Sequence, residues 1–277
     1  ESQDRPNAQP VLQKAFDYFD RGFDPEFGGF GDAPKFPRPV ALNLLFRLAV
    51  LHPDPSCAQR SLTLATTTLE KMAAGGIHDH LGGGFHRYSV DRYWHVPHYE
   101  KMLYDQAQLL RSYLDAYQLT GQPALAEVAG GILRYVERDL SHGEGGFFSA
   151  EDADSADPED AGHQREGAYY LWRKREIFEV LGEEAARIFC RHYGVREEGN
   201  SPPESDPHGE LAGRNTLIER ESLRETAEAF GLSVEEAARQ LATARERLFE
   251  RRARRSRPHL DDKVVTAWNG LMLGACA

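Results

Sequence analysis

The tripeptide Gly-Gly-Phe occurs three times, at residues 28–30, 83–85 and 145–147, spaced by 55 and 62 residues. Each interval is about long enough for one pair of helices, and helical periodicity fills it. Val11, Leu12, Ala15, Phe16 and Phe19 form one apolar stripe that stops near Gly22. Pro39 opens a second, with Leu42, Leu45, Leu48 and Ala49. Ser56 reads as the cap of a third, through Leu62, Ala65, Leu69 and Met72 to Gly75-Gly76. Pro97 opens a fourth, carrying Leu103, Ala107, Leu110 and Leu114 to Gly121, and Pro123 opens a fifth. Apolar positions three and four apart, proline at the start and glycine past the end are helix signals. Helical pairs that each expose an apolar face must stack on their neighbours. Part of the repeat is turn chemistry, because glycine permits positive φ and Phe plugs a core. Turn chemistry does not explain the polar residues after each copy: Asp32 and Lys35; His86, Arg87 and Asp91; Glu151, Asp152 and Asp154.

The rest of the chain reads as helices over 174–181, 183–193, 221–230 and 233–252, a short aromatic strand over 166–171, and loops over 152–164 and 197–214. The fold class expected is all-α, with a few short strands in rim loops. We treat 1–277 as a single domain. A chain that starts at Glu1 and ends at Ala277, in a helical pattern running from Lys263, reads as a segment of something longer. The net charge of −11 argues against a nucleic-acid surface, and no apolar run approaches the ~20 residues that span a bilayer. The basic run 245–257 closes a helix opened by acidic residues, which the helix dipole favours, so it reads as a solvated helix end. Cys57, Cys190 and Cys276 form no Cys-x-x-Cys motif, which speaks for a reducing, cytoplasmic setting.

Chemistry concentrates in residues 75–106, GGIHDHLGGGFHRYSVDRYWHVPHYEKMLYDQ, which hold five histidines between glycine runs. His78 and His80 flank Asp79 at a spacing that two metal ligands can use. No zinc-type spacing completes a site, and the same residues suit loop hydrogen bonding; neither a metal nor a cofactor is expected. Starting a helix at Pro97 puts His98, Lys101, Met102 and Asp105 on one face. The helix dipole there favours a neutral His98, suited to act as a base, while Lys101 and Asp105 pair. Glu151 and Asp152 are the tempting pair of carboxylates, and they equally suit an exposed acidic loop. An echo marks two inner-helix starts: Glu100-Lys101 before Tyr104-Asp105-Gln106, and Asp262-Lys263 before Trp268-Asn269-Gly270. No glycine-rich phosphate loop or Gly-x-Ser-x-Gly elbow is present.

GGFGDAPKFP (28–37), GGIHDHLGGGFHRYSVD (75–91), WHVPHYEKMLYDQA (94–107), GGFFSAEDADS (145–155), EGAYYLW (166–172) and DDKVVTAWNGLM (261–272) together resemble the YyaL-like thioredoxin-domain-containing family, which has spermatogenesis-associated mammalian relatives. The resemblance implies an incomplete (α/α) toroid of helical hairpins, similar to N-acylglucosamine 2-epimerase, cellobiose 2-epimerase and six-hairpin glycosidase toroids. It also implies a linked thioredoxin-like domain, absent here, and further hairpins beyond Ala277. The function it implies is carbohydrate binding or epimerase-like proton transfer, with a glycosidase or a non-catalytic module serving the redox domain as alternatives. In that reading His98 or His80 is the base, and Glu151 and Asp152 are the acids. Asp32, His78, His86, Arg87, Tyr88, Asp91, Trp94, Tyr99, Lys101, Tyr104, Asp105, Asp262, Lys263, Trp268 and Asn269 surround the sugar.

Overall fold

A computed structural model describes residues 9–277. The architecture is all-α. Helices α1 (Gln9–Gly22), α2 (Pro39–Leu51), α3 (Pro55–Ala74), α4 (Leu103–Thr120) and α5 (Pro123–Tyr135) are joined much later by α10 (Thr266–Cys276). α2, α4 and α10 touch in sequence as an inner row, with α3 packed on α2 and α5 on α4. This is the inner-and-outer row of an (α/α) toroid. α6 (Lys174–Leu181), α7 (Glu183–His192), α8 (Leu223–Phe230) and α9 (Val234–Arg252) lie between α5 and α10 in sequence. They pack on one another around Trp172, Ile177, Phe189, Tyr193 and Leu248, a core separate from that of the hairpins. No helix among the described residues is long and apolar enough to cross a membrane.

Local chemistry sets most helix ends. Pro39, Pro55 and Pro123 occupy first-turn positions, where the missing N–H costs nothing. Gly121, in the left-handed region, stops α4. Ser222 and Glu225 form a capping box on α8. Two expected starts shift. Asp54 rather than Ser56 caps α3, its carboxylate accepting the Ser56 N–H at 2.8 Å. α4 begins at Leu103 rather than Pro97, because the intervening residues are drawn into strand pairing. β1 (Tyr88–Ser89) pairs with β2 (Pro97–His98), and β3 (Lys101–Met102) with β4 (Ala150–Glu151), which also pairs with β7 (Leu260–Asp261). The strand expected over 166–171 is a turn at Gly167. The surface hairpin is β5 (Asp154–Asp157) with β6 (Asp160–Glu166), inside the stretch expected as loop. Its residues are polar apart from Ala156, Ala161 and Gly162, so no apolar alternation announces it.

The first two Gly-Gly-Phe loops fold alike. Asp24 and Asp79, four residues before the first glycine, each accept two backbone N–H groups of their own loop at 3.0–3.1 Å. Each also accepts a buried lysine at 2.8 Å: Lys35 for Asp24, Lys101 for Asp79. The same lysines donate to the first glycine's carbonyl, Gly28 at 2.8 Å and Gly83 at 2.9 Å. An arginine completes each ion cluster, Arg92 on Asp24 and Arg252 on Asp79. The second glycine lies flat against an aromatic ring. A Cβ on Gly29 would come within 2.7 Å of Trp94, and one on Gly84 within 2.6 Å of Tyr135. Both glycines also have positive φ, so no other residue fits.

Candidate functional site

The rim strands gather the polar clusters at one end of the inner helices. Lys35 bridges to Ser89, Tyr88 opposes His98, and Lys101 opposes Glu151, which in turn opposes Leu260. On the open side lies a row of rings: Phe36 stacks on Tyr88 at 4.8 Å, and Tyr88 on His98 at 5.1 Å. His98 sits between two carboxylates. Its Nδ1 is 2.6 Å from Glu166 Oε1 and its Nε2 3.2 Å from Glu100 Oε2. Arg87 donates to Glu100 at 2.9 Å, and Tyr104 meets Trp268 edge-on at 4.9 Å. The Glu166 hydrogen bond, opposed by partial burial and helped by both negative charges, raises the His98 pKa above its usual value. The helix-start argument for a neutral His98 therefore fails. The residue is on β2, before α4 begins, and its neighbours favour the imidazolium.

Asp105 lies in the first turn of α4, buried, with Oδ2 lacking any hydrogen-bond partner. Burial pushes its carboxyl up to about 7, against the pull of Arg87. It does not pair with Lys101 as the helical spacing predicted, because Lys101 belongs to β3 and turns inward to Asp79.

Glu151 and Asp152 do not act as a pair. Successive residues of an extended strand face opposite sides. Glu151 is buried, accepting from Tyr135 Oη at 2.8 Å and Arg257 at 2.6 Å, whereas Asp152 is exposed. His78, His80 and His86 are held by backbone carbonyls: Ala73 at 3.0 Å, Gly75 at 2.9 Å and Tyr99 at 3.0 Å. Burial lowers their pKa values, to about 3 for His78 and about 4 for His80, and keeps all three neutral. Among the described residues no group of three or more His, Cys, Asp or Glu side chains is arranged to hold a metal ion.

Several expected sugar contacts are built into the scaffold instead. Trp94 is fully buried and donates to the Phe27 carbonyl at 2.9 Å. Tyr99 is buried, with its hydroxyl 2.7 Å from Thr216 Oγ1. Asp91 gathers the N–H groups of Tyr93, His95 and Val96 at 2.9–3.0 Å. Asn269 pins Phe147 through both of its backbone groups, as Gln106 pins Phe85. Asp32, Asp262 and Lys263 are exposed, and Lys263 pairs with Asp261 at 3.0 Å. Glu166 and Phe36 carry the rim and were missed in sequence. Glu166 lies 68 residues from His98, so no local spacing links them.

The chain is 49% identical over 281 residues to human spermatogenesis-associated protein 20, and 48% identical over 280 residues to the mouse protein. The chain is homologous to spermatogenesis-associated protein 20. The alignments cover 98% of this chain and 35–36% of the relatives, so it spans about a third of their length. An uncharacterized protein of Caenorhabditis elegans is 40% identical over 96% of the chain and 37% of its own length. No protein-family model matches the chain. Among solved structures, a sugar epimerase from a ruminal bacterium aligns over 85% of this chain and 53% of its own, at 15% identity and TM-score 0.43. The cellobiose 2-epimerase of Bacillus thermoamylovorans aligns over 90% and 70%, at 14% identity and TM-score 0.44.

Proposed function

We propose that the rim binds a carbohydrate and moves a proton at a sugar carbon beside a carbonyl. The observation that carries this reading is the His98 imidazole, set between Glu166 and Glu100 at the end of the Phe36–Tyr88 row. Aromatic faces pack on the apolar face of a sugar ring, and the flanking carboxylates accept its hydroxyls. With its pKa raised, His98 serves as the acid rather than the base. It gives its proton to the carbonyl oxygen while the Glu100 carboxylate takes the proton from the adjacent carbon, leaving an enediol. Return of a proton to the opposite face of that carbon, with the enol proton handed back to His98, completes epimerisation; return of the proton to the former carbonyl carbon, with loss of the proton on the neighbouring enediol oxygen, gives isomerisation instead. Buried His80 has no part in this scheme.

The test is deuterium exchange at carbon 2 of cellobiose, mannose and N-acetylglucosamine in D2O, followed by NMR together with saturation transfer from protein to sugar. His98→Gln is expected to slow exchange by about 10²–10⁴-fold while leaving saturation transfer in place. Tyr88→Ala is expected to weaken saturation transfer itself. Neither transfer nor exchange with any of the three sugars would sink the proposal and leave a non-catalytic binding module as the better account.

A further inference from the structure

A cavity of about 160 Å³ opens beside the second ion cluster, lined by Lys101, Asp79 and Arg252 among others. Lys101, Asp79 and Arg252 are all buried there, their side chains 1–4% exposed. Two cations share one carboxylate, so this cluster carries one positive charge in excess. The remaining charged groups of the lining balance: Arg138 pairs with Asp139, and Arg257 bridges Asp139 and Glu151. Ring faces offset part of this charge, since Lys101 lies over Tyr135 and Tyr170 and Arg252 over Tyr169 and Tyr170, but a buried charge without a counter-charge still costs several kcal/mol after relaxation.

The hydrogen-bond inventory has the same sign. Each oxygen of Asp79 is already taken, by Arg252, Lys101 and the loop N–H groups. Both Glu151 oxygens are taken by Arg257 and Tyr135. Donors are what is left. Lys101 has three N–H groups and uses two, on Asp79 and Gly83. Arg252 Nε is buried with no hydrogen-bond partner. The first ion cluster serves as an internal control. It has the same aspartate and lysine, but Arg92 is 40% exposed and its charge is solvated by water.

We propose that this cavity is a binding site for a small oxyanion, a carboxylate or phosphate group, that neutralises the excess charge of Lys101 and Arg252. The proposal is independent of the sugar reading, since none of Phe36, Tyr88, His98, Glu100 and Glu166 lines this cavity.

Calorimetric titration with sodium phosphate and, separately, sodium acetate, at fixed pH and ionic strength in chloride, tests it. Saturable binding of one anion per chain is expected, and whichever salt binds identifies the headgroup. Arg252→Gln leaves the balanced Lys101–Asp79 pair and is expected to weaken binding at least about tenfold, the loss of one charge-assisted interaction. Arg92→Gln, the same change in the first cluster, is expected to leave it unaltered. Ala253→Trp, at the exposed mouth of the cavity, is expected to block binding even if Arg252→Gln does not fold. Absence of saturable binding for both salts, or unchanged affinity in the Ala253→Trp and Arg252→Gln proteins, overturns the assignment.

Discussion

The two ion clusters are built to one plan and differ in where the arginine comes from. In the first, Arg92 follows Asp24 by 68 residues, approaches from the loop region before α4 and keeps its guanidinium 40% exposed. In the second, Arg252 comes from the last turn of α9, 173 residues from Asp79, and is buried. The lysine, the aspartate, the glycine carbonyl and the aromatic behind the second glycine are otherwise matched. The shared parts are thus the means by which a Gly-Gly-Phe loop is fastened beneath an inner helix. The added burial in the second cluster does something further: it joins the α6–α9 core to the hairpin core. Arg252 is buried and Arg257 reaches Glu151 from the surface, while Arg247, Arg251 and Arg254 stay exposed, so the basic run is in part the solvated helix end that the sequence suggests.

The largest expected effect separates the two clusters by removing the anion. Asp79→Asn leaves Lys101 and Arg252 buried side by side and is expected to cost about 3–5 kcal/mol, the range for breaking a buried pair. Asp24→Asn leaves only Lys35 buried, and the expected loss is smaller by about 1–2 kcal/mol. Urea denaturation of both variants measures the difference, and equal losses would mean that the burial of Arg252 carries no energetic weight. The next effect has the opposite order. Lys101→Met turns the second cluster into a balanced Asp79–Arg252 pair, so it is expected to cost about 1–2 kcal/mol less than Asp79→Asn. If Lys101→Met is instead the worse of the two, the excess charge is not the feature that distinguishes this cluster.

A pH titration sharpens the same contrast. Burial raises the Asp24 carboxyl, but hydrogen bonds from Lys35, the Phe27 N–H and Arg92 outweigh it and hold the pKa at about 2. Asp79, also opposed by burial, is held well below the usual carboxylate range by Arg252 and Lys101. A depressed folded-state pKa means that the unfolded chain binds protons first as pH falls. The stability from Asp24 is therefore fully present above about pH 4 and is lost as pH drops toward 2. The loss for Asp79 starts at the same pH, where the unfolded chain takes up protons, and continues to lower pH than for Asp24. Between pH 4 and 2, Asp79→Asn is expected to flatten the fall in Tm at least as much as Asp24→Asn, because folded Asp24 itself takes up protons near pH 2 and folded Asp79 does not. The reverse order would contradict the tighter clamp assigned to Asp79.

What the sequence made legible was what is local. Pro39, Pro123, Gly121 and the apolar stripes located helices, and the spacing of Gly-Gly-Phe located hairpins. Two-residue strands such as Pro97–His98 carry no period, so the extended stretch before α4 reads as helix and His98 receives the wrong electrostatic environment. The Glu166–His98 and Arg252–Asp79 contacts join residues 68 and 173 apart, which only the folded chain reveals. Trp94 and Tyr99 have the residue types of a sugar platform, yet packing consumes them. Trp94 backs Gly29, and the Tyr99 ring lies where a Cβ on Gly167 would fall. Side-chain type cannot distinguish an aromatic used for packing from one left open.

The third Gly-Gly-Phe loop gives the smallest expected effect and the most direct test of what the aspartates do. His142 N–H bonds the Gly146 carbonyl at 3.0 Å, as Asp24 N–H bonds Gly29 and Asp79 N–H bonds Gly84. His142 Nδ1 accepts the Glu144 N–H at 3.0 Å, the service that Asp24 and Asp79 render to their own loops. Among the described residues neither lysine nor arginine pairs with it, and Lys263, which precedes α10 as Lys101 precedes α4, is exposed and turns to Asp261. If the ion pair is what matters in the first two clusters, an aspartate here has nothing to pair with. His142→Asp is then expected to change stability by less than about 0.5 kcal/mol, as surface substitutions do. If capping the loop N–H groups is the larger contribution, a charged acceptor in this place should stabilise by about 1 kcal/mol or more, in line with charge-assisted hydrogen bonds. Denaturation of this single variant therefore ranks capping against ion pairing, with no buried lysine in the background.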